Sequence, residues 1–370
     1  MKKLAIVYPA HYQESSGGAE LQISYLCQAA AQSGWEVHYV YVPSGKNSIE
    51  TSEFEILHPL IPAQKRAHFF RYQKQIKEKL EEIQPDLIYT RHTSSWLYYA
   101  ASFAQKHKIP HIQAMPSDAS TKWNFGWNNC YVPHRLADTL LFHRGMRLVR
   151  NFITQNNFQY RQIQKRFHRT ATPIAQMTPG CPVEEIKKDP SQVTVLWIAN
   201  LKELKRPQLF LQLIENINTS GSETPCQFKI CGRASGKYLG MMQNAMQKIP
   251  NFQYLGELSQ AEVNQELAHG DLLINTSIYE GFSNTFVQAW MRKVPVISMN
   301  SDPNQSLSQE KLGALAPTAE ELLQKTLYFI QNPELRQQTG DKARVYAEKH
   351  HSLEQNMPIL LDTLEKICNL

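Results

Sequence analysis

The sequence predicts an α/β protein made of two doubly wound halves, each with a parallel sheet, joined by a short linker. Three observations predict it. Short apolar runs alternate with helix-spaced segments from residue 4 to residue 115, and the alternation restarts at residue 193. Between the two series, residues 178–192 (TPGCPVEEIKKDPSQ) hold three prolines and a glycine among polar residues. Charge divides at the same place: residues 1–183 carry 21 Lys/Arg against 12 Asp/Glu, and residues 184–370 carry 18 against 21. A chain of 370 residues also exceeds one ordinary core.

The elements follow in order. LAIVY (4–8) is a short apolar run of the kind that fills a buried parallel strand. A loop with Ser15-Ser16-Gly17-Gly18 leads into AELQISYLCQAAAQ, whose helical spacing stops at Gly34. WEVHYVYV, PDLIYTRH (85–92) and KIPHIQAM (108–115) are further strands, with a helix from Ser94 to His107 between the last two. In the second half VTVLWIAN, QFKICG, NFQYL, DLLINTS and VPVISM read as strands. PQLFLQLIENIN, 237–248, SQAEVNQELAHG and Thr285–Arg292 read as the helices between them, and 318–350 and 352–368 as closing helices. The expected domains are 1–178, a linker at 179–192, 193–345, and a helix at 346–370 that returns to the first domain.

Composition excludes several classes. Hydrophobic content of 42% and aromatic content of 10% are those of a folded chain. No apolar run reaches the ~18 residues of a membrane span. The N-terminal run, broken by Pro9 and His11, reads as a first strand and not a signal peptide. The six cysteines show no CxxC pair or metal-ligand spacing, which fits a reduced, cytoplasmic chain. His350-His351 reads as a helix end, and no nucleic-acid module is legible.

Ligands of open α/β sheets lie at the carboxyl ends of the strands, so the loops there hold the candidates. Gly17-Gly18 opens a helix after the first strand, where free N–H groups suit an anion. The spacing is not GxGxxG, so a dinucleotide site is unsupported. IANLKELKRP (198–207) sets Lys205 and Arg206 at a helix start, a place for a diphosphate. IYEGFSNTFVQAW (278–290) places Glu280 in a loop, Gly281-Phe282-Ser283 in a turn, and Asn284 and Thr285 at a helix start. Gln288 follows as donor and acceptor. A carboxylate for hydroxyls beside a positive helix end for phosphate suits a nucleotide-sugar.

These stations resemble the retaining glycosyltransferases of family four. They are GGAEL, ANLKELKRP, the run from NFQYLGELSQ through IYEGFSNTFVQAW to SDPN, and the tail NPELRQQTGDKARVYAEKHHSLEQN. The resemblance implies the GT-B fold, two Rossmann-like domains facing across a cleft with the C-terminal helices packing back on the first. It implies transfer of a sugar from a nucleotide diphosphate to an acceptor, with retention at the anomeric carbon. Glu280 matches the first glutamate of the family's E-x7-E signature, implied to meet the donor sugar. Gln288 stands where the second glutamate, implied to hold the ribose, is usual. Lys205 matches the diphosphate lysine, and Asn200 replaces its arginine partner; Lys202 and Arg206 are the cations nearby. Where many members carry a histidine in the first domain this chain reads MPSDAS, so Asp118, His92 and His11 are the cleft candidates there.

The implied mechanism passes through an oxocarbenium-like sugar and a leaving diphosphate, stabilised by Lys205, Gly17-Gly18 and the amides of 283–285. No Asp-x-Asp motif is present, and neither a divalent metal nor another cofactor is expected. KRAHFFRYQKQIKEK (65–79) interleaves six Lys/Arg with aromatic residues, and residues 119–183 hold nine Lys/Arg against Asp138. Such faces fit an acidic acceptor or the anionic inner leaflet, where lipid-linked glycan acceptors of cell-surface polysaccharide synthesis are found. Trp123, Phe125, Trp127 and Tyr131 cluster in one loop, suited to packing or to sugar stacking. Two other readings share the features: a GT-B epimerase or phosphorylase, and a GT-B protein that binds without catalysis.

Overall fold

The computed structural model describes residues 1–15, 17–45, 49, 53–62, 68–121, 133–221 and 223–369. The aromatic loop and Lys65–Arg66 of the basic stretch lie outside the described residues. The chain forms two compact units, Met1–Ala175 with Asn356–Leu370, and Gln176–Gln355.

Unit 1 carries the strands β1 (Lys2–Val7), β2 (Trp35–Tyr41), β3 (Ile56–Pro59), β4 (Leu87–Thr90), β5 (His111–Ala114), β6 (Asn151–Thr154) and β7 (Ala171–Pro173). Its helices are α1 (Gly18–Gln32), α2 (His68–Ile83), α3 (Trp96–His107), α4 (Pro133–Leu148) and α5 (Asn157–Phe167). All strand pairs are parallel, in the order β3-β2-β1-β4-β5-β6-β7. The expected strands are all present. β3, β6 and β7 are added at the flanks; three or four residues each give too short a run to carry a period.

Unit 2 carries β8 (Val193–Ile198), β9 (Cys226–Cys231), β10 (Phe252–Gly256), β11 (Leu272–Asn275), β12 (Val296–Ser298) and β13 (Gly313–Leu315). Between and after them lie α6 (Pro207–Thr219), α7 (Lys237–Lys248), α8 (Gln260–His269), α9 (Asn284–Met291), α10 (Ala319–Gln331) and α11 (Pro333–His351), and α12 (Leu353–Cys368) follows as the chain passes back to unit 1. The sheet is parallel in the order β10-β9-β8-β11-β12-β13. Alternate side chains feed two cores. Val193, Val195 and Trp197 join Leu272, Ile274 and Ile297 on one face. Leu196, Leu273 and Val296 join Phe286 and Trp290 on the other. Both faces being apolar is why the strands read as continuous hydrophobic runs. Each fully buried large side chain adds on the order of 1.5–3 kcal/mol.

One helix is divided where the sequence reading ran it through. Residues 318–350 form α10 and α11, with Asn332 at φ −118° and ψ 84° between them. Pro333 lacks an N–H and pushes the residue before it out of helical geometry, so α10 stops and α11 starts on the proline. The proline-rich segment is tied into unit 2: Lys187 N donates to Ala268 O at 3.0 Å, and Lys188 Nζ to Lys293 O at 2.8 Å. Residues 356–370, most of α12, belong to unit 1, where Lys2 Nζ meets Glu365 Oε2 at 2.5 Å.

Candidate functional site

In unit 2 the chain leaves β8 in opposite directions, toward β9 on one side and β11 on the other, so the carboxyl ends of β8 and β11 flank the crevice of a doubly wound sheet. The loop after β8 (199–206) and the loop after β11 (276–283) meet there. Ile278 N donates to Leu204 O at 2.9 Å. The Thr276 hydroxyl donates to Lys205 O at 2.6 Å and accepts from Trp197 Nε1 at 2.9 Å. Arg206 takes a left-handed φ of 50° and donates Nε to Thr276 O at 2.6 Å, with Pro207 opening α6 behind it. Lys205 sits in the 3₁₀ turn that these bonds hold.

The result is a compact charged knot. Lys205 Nζ reaches Glu280 Oε1 at 2.5 Å, and Asn275 Nδ2, at the end of β11, reaches the same oxygen at 3.3 Å. Asn275 Oδ1 in turn accepts from Ser277 N at 3.2 Å and from the Ser298 hydroxyl at 3.3 Å. Both donors to Glu280 converge on Oε1; among the described residues Oε2 has no partner. Asn275 is a positioning residue that sequence reading missed, because the last residue of a strand carries no mark of what it faces.

The other predicted residues occupy the same edge. Asn200 Oδ1 accepts from Arg233 N at 3.2 Å, joining the loops after β8 and β9. Gly232 between them has φ 145°, and a Cβ there would lie 1.9 Å from Ala199 O, so only glycine allows this approach. Arg233 brings a cation beside Asn200, and Glu257 approaches it at 3.9 Å. Arg206 holds Thr276 O through Nε, and its Nη2 lies 3.9 Å from Met299 Sδ. Ser283 is the N-cap of α9 without a side-chain cap bond to the first turn; its hydroxyl faces that of Thr285 at 2.8 Å. Asn284 Oδ1 accepts from Gln176 Nε2. Gly281 and Phe282 are buried, and the Phe282 ring packs at 4.6 Å from His351 and 6.0 Å from Trp290. His351 is thus an aromatic-core residue: Nδ1 bonds Gln176 O at 2.8 Å, and burial pulls its pKa down to about 4.

Gln288 is 2% exposed. Its amide nitrogen donates to Gln260 Oε1 at 3.0 Å and Asn264 Oδ1 at 3.3 Å, both on α8. Those bonds fix the amide and leave Oε1 as its acceptor for a hydroxyl.

In unit 1 the candidates separate. Gly17 caps α1, and the Glu20 carboxylate lies where a Gly17 Cβ would stand, 2.1 Å from that position. Ser15 Oγ donates to Glu20 Oε1 at 3.0 Å. The positive end of α1 therefore already faces a carboxylate. His92 is buried between Tyr8 and Trp96, with Nδ1 3.2 Å from Ser94 Oγ, and burial pulls its pKa to about 3. His11 is buried with Nε2 3.3 Å from Glu55 Oε1, to which the Tyr12 hydroxyl donates at 2.6 Å. Asp118 Oδ1 accepts from Asn156 Nδ2 at 2.9 Å and Gln159 Nε2 at 3.0 Å, securing the start of α5. Beside these residues lies a pocket of about 580 Å³, walled by Thr93–Trp96, by Ser117, Ala119 and Ser120, and by one face of α4. His92 and Asp118 stand next to its wall residues and do not line it.

Comparison with known proteins agrees with the fold. The Glycosyltransferase Family 4 model matches residues 16–185, and the Glycosyl transferases group 1 model matches residues 192–332. The chain belongs to the glycosyltransferases of group 1 and family 4. Glycosyltransferase 1 domain-containing protein 1 of Xenopus tropicalis is 25% identical over 114 residues, 30% of this chain and 33% of the relative, so the match spans a third of that protein. Sucrose-phosphate synthase of Thermosynechococcus elongatus superimposes with a TM-score of 0.79 at 13% identity over 99% of each chain. Anabaena HepE, solved with UDP and glucose, superimposes with a TM-score of 0.73 at 14% identity over 99% of this chain and all of its own. These likenesses establish the GT-B fold of this glycosyltransferase.

Proposed function

We propose that the chain transfers a sugar from a nucleotide diphosphate-sugar to a glycan or lipid-linked acceptor with retention of anomeric configuration. The observation that carries the reading is the Lys205–Glu280 pair at the carboxyl ends of β8 and β11, with Glu280 Oε2 open. The bound UDP and glucose of the Anabaena neighbour support a uridine donor as the first to try.

In this reading Lys205 leaves Glu280 for the diphosphate, and Glu280, still held by Asn275, turns its carboxylate to the sugar hydroxyls. Arg233 and the first-turn amides of α9 add positive potential to the leaving phosphate. Gln288 Oε1 accepts from a ribose hydroxyl. The bond from the anomeric carbon to the phosphate oxygen breaks, and the acceptor oxygen bonds to the same face. The acceptor's proton passes to the leaving phosphate oxygen. The charge stabilisation comes from protein groups, so transfer is expected to persist in EDTA.

A cytoplasmic protein at the inner face of the membrane fits such an acceptor. No helix among the described residues is long and apolar enough to cross a membrane. On α2, Phe70 is 81% exposed, but Lys74, Lys77 and Lys79 are each paired with a glutamate three or four residues on. Those pairs weaken the helix as a basic face, and sedimentation with anionic vesicles at low salt tests the contact.

The function is tested by thermal shift against UDP, GDP, ADP and their glucose conjugates. One nucleotide series is expected to raise the melting temperature by mass action. No response to any member contradicts donor binding.

A further inference from the structure

The pocket of unit 1 has a lining that the donor chemistry of unit 2 does not use. Six of its residues come from α4: His134, Arg135, Asp138, Thr139, Phe142 and His143. Their spacing of one and three alternately puts them on one helical face. The stripe is graded along the helix. His134 and Arg135 are exposed at the first turn, Asp138 and Thr139 are half-buried at the second, and Phe142 and His143 are buried at the third.

The opposite walls supply hydroxyls and an aromatic surface. Ser94 and Ser95 lead into α3, Ser117 and Ser120 follow β5, and the buried rings of Trp96 and Tyr72 complete the apolar part. A polar wall opposite aromatic edges suits a sugar ring, which has hydroxyls around its rim and C–H faces above and below.

Charge then selects the kind of sugar. Asp138 does not pair with the cations one turn away. Its Oδ1 accepts from Ser95 N at 2.8 Å, at the start of α3, where a carboxylate is favourable. Arg135 therefore has no carboxylate partner among the described residues, and it lines the pocket from the exposed first turn of α4 next to His134. The surrounding half of the chain is strongly basic, with 21 Lys/Arg against 12 Asp/Glu in residues 1–183.

We infer that this pocket binds a sugar bearing an acidic group, a phosphate or a carboxylate, with the ring along the α4 stripe and the acid on Arg135 and His134. Asp138 Oδ2 and the serine hydroxyls take the ring hydroxyls. This rests on the proposed function only in making the bound sugar the acceptor; the binding itself stands on the pocket.

The test is ligand-observed NMR titration of the full chain with methyl glucoside, glucuronate and glucose 6-phosphate. The two anionic probes separate a carboxylate from a phosphate. At least one of them is expected to bind saturably and about tenfold or more tighter than methyl glucoside, the effect of a charge-assisted bond. Arg135→Gln, an exposed substitution, should remove that preference while leaving UDP binding as in the wild type. Equal binding of neutral and anionic probes, no saturable binding of any, or a preference surviving in Arg135→Gln would overturn the inference. Loss of UDP binding in Arg135→Gln would place the residue in the donor site and overturn it too. Failure of the wild type to bind any nucleotide, with the anionic preference intact, would count against the donor reading alone.

Discussion

The two units present their candidate chemistry in opposite states. In unit 2 the cation and the carboxylate satisfy each other: Lys205 lies 2.5 Å from Glu280, with Asn275 behind. In unit 1 the pocket's acid is turned to a backbone N–H of Ser95, and its arginine has no carboxylate partner among the described residues. A site whose charges are paired when empty keeps its geometry but must give up an ion pair to take a ligand. One with an unpaired cation attracts an anion from further off, at the cost of rigidity. The first arrangement suits a donor that must be held for chemistry, the second an acceptor that must be gathered.

The largest expected effect breaks that contrast on the unit 2 side. Glu280→Gln keeps the shape and removes the charge, and transfer should fall about 100- to 1000-fold, the loss seen when one preorganised electrostatic group is removed. Turnover with saturating donor measures it. Full activity in the variant would end the role assigned to Glu280.

Next, Lys205→Met removes the diphosphate cation. Nucleotide diphosphate affinity should fall about 10- to 100-fold, the worth of a charge-assisted contact of about 1.5–3 kcal/mol. Calorimetry reads it directly, and an unchanged Kd would leave Lys205 as a structural partner of Glu280.

Acid sharpens the comparison differently. Burial holds His92 and His111 of unit 1 neutral, with pKa values of about 3, and His351 of unit 2 at about 4. Each takes up a proton on unfolding once the pH is below about 6.5, so the stability from keeping it neutral is full above that value. It is lost as the pH falls toward the folded pKa. Between pH 7 and pH 5 each withdraws about 2 kcal/mol, and unit 1 has two such groups at the adjacent strands β4 and β5. Amide protection factors should therefore fall more, from pH 7 to pH 5, in β4 and β5 than in β8 and β11. An equal fall in both would contradict the burial argument.

The smallest effect is at Gln288. With its N–H groups committed to α8, Oε1 offers the ribose one hydrogen bond of about 1 kcal/mol. Gln288→Leu should weaken UDP about fivefold while leaving 2′,3′-dideoxy-UDP, which lacks both ribose hydroxyls, little changed. A parallel loss for both nucleotides would make Gln288 a strut between α8 and α9 and nothing more.

What was legible in the sequence follows the same division. Lys205 and Glu280 were legible as candidates because each sits in a short loop after a strong apolar strand. Asn275 and Arg233 were not, because their roles depend on which loops touch. The unit 1 pocket was less legible still. Its walls come from segments after β4, after β5 and along α4, and α4 is a polar helix with no marked apolar stripe in its sequence. His92 and Asp118 were found by position at strand ends, next to the wall residues but turned into the structure. Pro333 announced the break between α10 and α11, and it was overrun because the helical spacing resumes at once on its far side.

The central claim is a division of labour in one charged knot, Lys205 for diphosphate and Glu280 for sugar. Titrating UDP and UDP-glucose, or the corresponding pair for whichever nucleotide responds, into the wild type, Lys205→Met and Glu280→Gln tests it most directly. The account predicts that Lys205→Met weakens both ligands alike, while Glu280→Gln binds the nucleotide as the wild type does and loses the extra affinity conferred by the sugar. Both variants binding the nucleotide-sugar with wild-type affinity would contradict it.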